Sequence, residues 1–135
     1  MLYGAMKGRG ESMPVNPYQK YKQQSVMTMT QGETLVGLYD EIIKQCNGAI
    51  MYMEENNVSK TNEALLRSQR VLTHLRSTLN FKYDIANNLD ALYEYFNRRL
   101  VEANIHKDKK PIEEIIPMVT DLRDAYAQAE RLTRT

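Results

Sequence analysis

Tryptophan is missing from this 135-residue chain, and only one cysteine, two histidines, two phenylalanines and four prolines occur in it. Each scarcity excludes something. One cysteine cannot build an internal disulfide framework, and it suits a reducing compartment. Two histidines and one cysteine are too few for an ordinary zinc site. Apolar runs stay far short of the roughly 20 residues a membrane-spanning helix needs, so no membrane insertion is expected. Near Lys7, Arg9 and Glu11 no apolar core region follows, which argues against a secretory signal. Charge is balanced as well, with 18 basic and 17 acidic residues. That balance predicts no general attraction to nucleic acid or to an anionic bilayer.

What is abundant is tyrosine, with nine residues, and methionine, with eight. Both suit adaptable contact surfaces, although many serve as core or boundary residues. The length fits one domain with a true core.

Apolar spacing organises the rest. Residues 1–15, with Gly4, Gly8, Gly10 and Pro14, show no period and read as a flexible leader. Residues 16–135 read as a single domain. In 16–29, Asn16 can cap and Pro17 suits the first helical turn. Tyr18, Tyr21, Val26 and Met27 then give a short amphipathic helix, marginal on its own. Thr30-Gln-Gly-Glu33 is a capping-box pattern. It opens a helix over about 31–56 whose stripe holds Leu35, Leu38, Tyr39, Ile42, Ile43, Cys46, Ala49, Ile50 and Met53. Gly37 and Gly48 weaken it, with close approach of a neighbour as one reason. Ser59 or Thr61 is expected to cap a second helix running to about Leu79, with Leu65, Ser68, Leu72 and Leu75 on its face.

A third helix over 85–108 has the most sustained stripe: Ile85, Leu89, Leu92, Phe96, Leu100 and Ala103, widened by Tyr93. Asn104 continues that line as a polar residue. It either bonds to a neighbouring helix or loop, or contacts something that binds. Lys109-Lys110-Pro111 begins a fourth helix with Ile112, Ile115, Ile116, Val119, Leu122, Tyr126 and Ala129 on its stripe. Pro117 falls inside this pattern and predicts a kink, or a helix that properly starts there. Four long segments over 30–130 with short connections predict an all-α, antiparallel four-helix bundle carrying a short N-terminal helical segment.

Catalytic chemistry has no foothold. Val71 and Ala103 occupy the positions three before His74 and His106, so the Glu-x-x-His pattern of di-iron bundles is absent. Cys46 sits on a core face as a small hydrophobe. Gly8-Arg-Gly10 precedes no strand and makes no phosphate loop. Neither a metal nor a cofactor is expected, and no enzymatic activity.

Several stretches together resemble the flagellin export chaperone family, FliS. They are Asn16-Pro-Tyr-Gln-Lys-Tyr21, Leu35-Val-Gly-Leu-Tyr-Asp-Glu-Ile-Ile43, Leu72-Thr-His-Leu-Arg-Ser-Thr-Leu79 and, most specifically, Asn88-Leu-Asp-Ala-Leu-Tyr-Glu-Tyr-Phe-Asn-Arg-Arg-Leu-Val-Glu-Ala-Asn104. The resemblance spans about residues 16–130. It implies a cytoplasmic chaperone that binds the disordered C-terminal segment of flagellin, prevents premature polymerisation and aids flagellar type III export. The export gate is a further partner it suggests. It also implies that Tyr18, Tyr21, Val26 and Met27 form a cap displaced by the client. Matching motif positions offer Leu35, Leu38, Leu92, Phe96 and Leu100 as contacts or core. Tyr39, Tyr93, Tyr95 and Arg99 are contact candidates, since tyrosine and arginine join apolar area to a polar end. Asp90, Arg98 and Arg99 can equally pair within the bundle. The alternative function is a non-enzymatic four-helix adaptor that binds another folded partner.

Overall fold

The structure, a computed structural model, describes residues 31–133. Four helices follow one another: α1 (Gln31–Glu54), α2 (Val58–Ser77), α3 (Asp84–His106) and α4 (Lys110–Thr133). No strand occurs among the described residues. Each helix packs on its neighbours in sequence, and α4 closes back on α1. The result is an antiparallel ring of four in which α1 lies diagonally opposite α3, and α2 opposite α4. The expected bundle is the observed fold. Residues 16–29, with Tyr18, Tyr21, Val26 and Met27, lie outside the described residues, as do the 1–15 leader and Thr30 of the capping box.

The interior follows the stripes. Tyr39, Ile42, Cys46 and Ala49 from α1 meet Leu65, Leu72 and Leu75 from α2. Tyr93, Phe96 and Leu100 from α3 meet Ile112, Ile115 and Val119 from α4. All are at most 1% exposed. Full burial of one such aliphatic or aromatic side chain contributes about 1.5–3 kcal/mol. The α1–α2 contact is the most extensive, because small residues meet there: Cys46 and Ala49 against Thr61, Ala64 and Ser68, all buried.

Several local expectations are corrected. The cap of α2 is Asn57, whose side chain accepts from the Lys60 amide at 3.1 Å, and neither Ser59 nor Thr61. Thr61 is instead buried and donates to the Asn57 carbonyl at 2.7 Å. An Asn side chain competes well for that role and frees Thr61 to pack. The connections α1–α2 and α3–α4 use the same device. Asn56 and Lys107 adopt left-handed φ of 57° and 49°. The following amides, Asn57 and Asp108, then reach back to Tyr52 and Ala103 carbonyls at 2.8 and 3.1 Å. This wrap satisfies carbonyls that a helix end would otherwise leave open.

Pro117 starts no helix. The fourth helix begins at Lys110 and runs through it. The carbonyl deprived of its amide partner belongs to Glu113, and both residues are exposed, so water can take the missing bond. Gly37 has no atom within 4 Å of where a Cβ would stand, and Gly48 meets only the Tyr52 ring at 3.8 Å. Close approach is therefore not their reason. The close approach is at Gly32, where a Cβ would meet the Glu130 carboxylate of α4.

Candidate functional site

The seam between α3 and α4 is the sparsest of the four. Helical spacing places Arg99, Tyr95, Leu92, Asn88 and Ile85 in one row along α3, and Glu114, Met118, Leu122, Ala125 and Ala129 in the facing row of α4. At one end the rows are bolted. Glu114 accepts from the Tyr95 hydroxyl at 2.8 Å and from Arg99 Nε at 2.7 Å. Arg99 also pairs with Glu102 one turn on. The Tyr95 bond first, and Arg99 second, hold the Glu114 carboxyl below its usual range.

Toward the other end the seam opens and becomes apolar. Leu92 and Leu122 are only partly buried, Met118 is 36% exposed and Ile85 58%. Ala125 and Ala129 are exposed too. Periodicity alone puts Ile85 and Ala129 inside the stripes, and the structure corrects this. They stand at the start of α3 and the end of α4, where no described element covers the gap. The two stripes thus continue past the point at which the helices stop covering each other.

Between α1, α3 and α4 three tyrosines converge. Tyr39 of α1 and Tyr93 of α3 share a hydroxyl–hydroxyl hydrogen bond of 2.6 Å across the bundle. The Tyr126 ring of α4 stands 5.8 Å from that of Tyr39. Burial raises the pKa of all three phenols.

The residues expected to form the site are therefore divided. Leu92 and Tyr95 flank the open seam, and Arg99 bolts its closed end. Tyr39, Tyr93, Phe96 and Leu100 are core residues. Leu35 and Leu38 pack against the core from α1, diagonally across from α3. Asn104 is half-buried. Its carbonyl and side-chain oxygens accept from Lys107 Nζ at 2.6 and 2.5 Å. The same ammonium reaches Asn62 of α2 at 2.8 Å. The loop-bond reading of Asn104 is the one these contacts support. Asp90 takes Arg76 Nε at 2.7 Å, and Arg98 lies over the Tyr95 ring at 5.6 Å. Met118, Ala125 and Ala129 join the groove without any sequence signal that marks them as contacts. Periodicity puts Leu122, Tyr126 and Ala129 on the α4 stripe, but not on a thin seam.

No group of three or more His, Cys, Asp or Glu side chains that could hold a metal occurs among the described residues. Nor does any of their helices have the length and apolarity to cross a membrane. Between Leu92 and Ile85 the apolar row on the α3 side of this seam runs for about two helical turns. The fold and site together define a four-helix bundle whose α3–α4 seam is apolar and thinly covered among the described residues.

Comparison with known proteins agrees with that class and narrows it. The family model for the flagellar protein FliS matches residues 14–133. The flagellar secretion chaperone FliS of Bacillus subtilis is 39% identical over 84% of this chain and 86% of its own. The Escherichia coli protein of that name is 27% identical over 79% and 81%. A crystal structure of a bacterial flagellar chaperone superposes with a TM-score of 0.72 at 22% identity, covering 84% of this chain and 94% of that one. The chain belongs to the FliS family.

Proposed function

We propose that the chain is a non-enzymatic, cytoplasmic secretion chaperone that holds the disordered C-terminal segment of flagellin in the α3–α4 groove. Occupying that segment keeps it from polymerising and keeps the client competent for flagellar export. The reading rests on one observation above the others: among the described residues, two apolar helix stripes continue without cover along a seam bolted at Tyr95, Arg99 and Glu114. An amphipathic client helix would lay its apolar positions between Leu92 and Leu122. Ordering a disordered segment costs about 2–5 kcal/mol, recoverable by burying on the order of 1,000–3,000 Å². The start of α1 lies beside Glu130 near the end of α4, at the groove's open end. Residues 16–29 precede α1 in sequence, and in this reading Tyr18, Tyr21, Val26 and Met27 cap the groove until the client arrives.

The test is titration with a peptide covering the flagellin C-terminus. Stoichiometric binding that M118E weakens at least tenfold, while K44E on the exposed side of α1 leaves it unchanged, supports the groove. Deleting residues 1–24 should alter affinity and leave the helical bundle folded. Absence of binding at micromolar protein favours the adaptor that pairs with a folded partner.

A further inference from the structure

Charge is balanced over the whole chain but not among its helices. α2 carries Lys60, Arg67, Arg70 and Arg76 against a single acid, Glu63. The other three are each net acidic: α1 has four acidic residues against one basic, α3 four against two, α4 five against three. On α2 the spacing sets Lys60, Glu63, Arg67, Arg70 and His74 along one outward line. All five are exposed. The line is roughly 20 Å long at helical rise.

Two of its arginines are idle. Arg76, Arg99 and Arg123 each grip a carboxylate at 2.7 Å. The side chains of Arg67 and Arg70 take part in no ion pair or hydrogen bond among the described residues. Even Glu63, four residues before Arg67 in a spacing that favours pairing, is not bonded to it.

Beside this line lies an apolar spot. The α2–α3 seam is tied at one end by Lys107 between Asn62 and Asn104, and at the other by Arg76 with Asp90. Between the ties stand Leu66, 46% exposed, and Val101, 36% exposed. Val101 shares the α2-facing edge of α3 with Asn104, three residues on.

We propose that this face of α2 docks an acidic amphipathic helix of a protein partner, with carboxylates three or four residues apart meeting Arg67 and Arg70 and an apolar side chain resting on Leu66 and Val101. Guanidinium forks suit paired carboxylates. Two features favour a helix over a polyphosphate or a lipid surface. Glu63 interrupts the line and repels any continuous string of phosphates, whereas a mixed-charge helix can set a lysine opposite it. Leu66 and Val101 offer an anchor that a nucleic-acid backbone does not use. Because α2 lies diagonally from α4, this face and the α3–α4 groove can be occupied together.

The test uses the full chain and a fluorescein-labelled 20-residue synthetic peptide with glutamates and leucines at helical spacing, beside an isomer of identical composition in scrambled order. The ordered peptide is expected to bind roughly tenfold or more tighter, a gap of about 1.4 kcal/mol. The double variant R67E/R70E should lose that binding while keeping the parent's thermal melt, since both side chains are exposed. Equal affinity for the two peptides, no binding at about 100 μM, or an unchanged double variant overturns the proposal. Tighter binding to phosphatidylserine vesicles or to single-stranded DNA than to the ordered peptide overturns it as well.

Discussion

The buried tyrosine pair joining α1 to α3 makes a sharp test of what holds the bundle together. Tyr39 is 0% and Tyr93 1% exposed, and their hydroxyls are 2.6 Å apart. Replacing Tyr93 by Phe removes a small polar atom and leaves the Tyr39 hydroxyl buried without that partner. Such an orphaned group costs about 1–3 kcal/mol, while removing both partners of a buried hydrogen bond is close to neutral. Y39F and Y93F should therefore each destabilise by about 1–2 kcal/mol. The double variant should fall short of their sum by about 1 kcal/mol or more. With an unfolding entropy of roughly 2.1 cal/mol/K per residue, each kcal/mol lowers Tm by about 4–5 °C for a bundle of this size. Urea titration followed by circular dichroism at about 222 nm, the helical band, measures all four proteins. Strict additivity would refute the reasoning, because it would mean that neither hydroxyl depends on the other.

Other consequences follow from the same interior. Burial raises the phenol pKa of Tyr39 and Tyr93 above the ordinary 10, so the folded chain holds those protons more tightly than the unfolded one. Their contribution is intact below about pH 10 and declines above it by up to about 1.4 kcal/mol per pH unit for each phenol, readable as a falling urea midpoint. Burial pushes the Cys46 thiol up to about 12, partly offset by the Ser68 hydroxyl facing it. The native protein should thus resist a thiol reagent at about pH 8, and labelling should track global unfolding. Gly37 is helical, and a methyl group added to it would have nothing within 4 Å. G37A should stabilise by about 0.5–1 kcal/mol in the same urea assay.

Apolar periodicity makes the four helices and most of the core legible in advance, because each stripe has only one way to leave water. Ile42, Leu65, Leu72 and Ile115 are all readable as core for that reason, whereas Tyr39 and Phe96, offered as contacts, turn out to be core. Periodicity says nothing of how tightly neighbouring helices meet, so the thin α3–α4 seam and the exposure of Ile85 and Ala129 emerge only from the fold. It also cannot separate Tyr93, turned inward to Tyr39, from Tyr95, turned to Glu114, although the two are adjacent but one on α3. Cap identity is hard to read where three candidates, Asn57, Ser59 and Thr61, compete within five residues. The basic face of α2 is hidden by whole-chain arithmetic, since its excess is cancelled by acids on the other helices.

Following backbone amide signals while the flagellin C-terminal peptide is added puts the groove to its most direct trial. A client held between α3 and α4 should bring a gain of helical circular dichroism at one-to-one stoichiometry, with the largest shifts at Ile85, Leu92, Tyr95, Met118, Leu122 and Ala129. Shifts concentrated instead along the α1–α2 seam, or no shift at all, would contradict it.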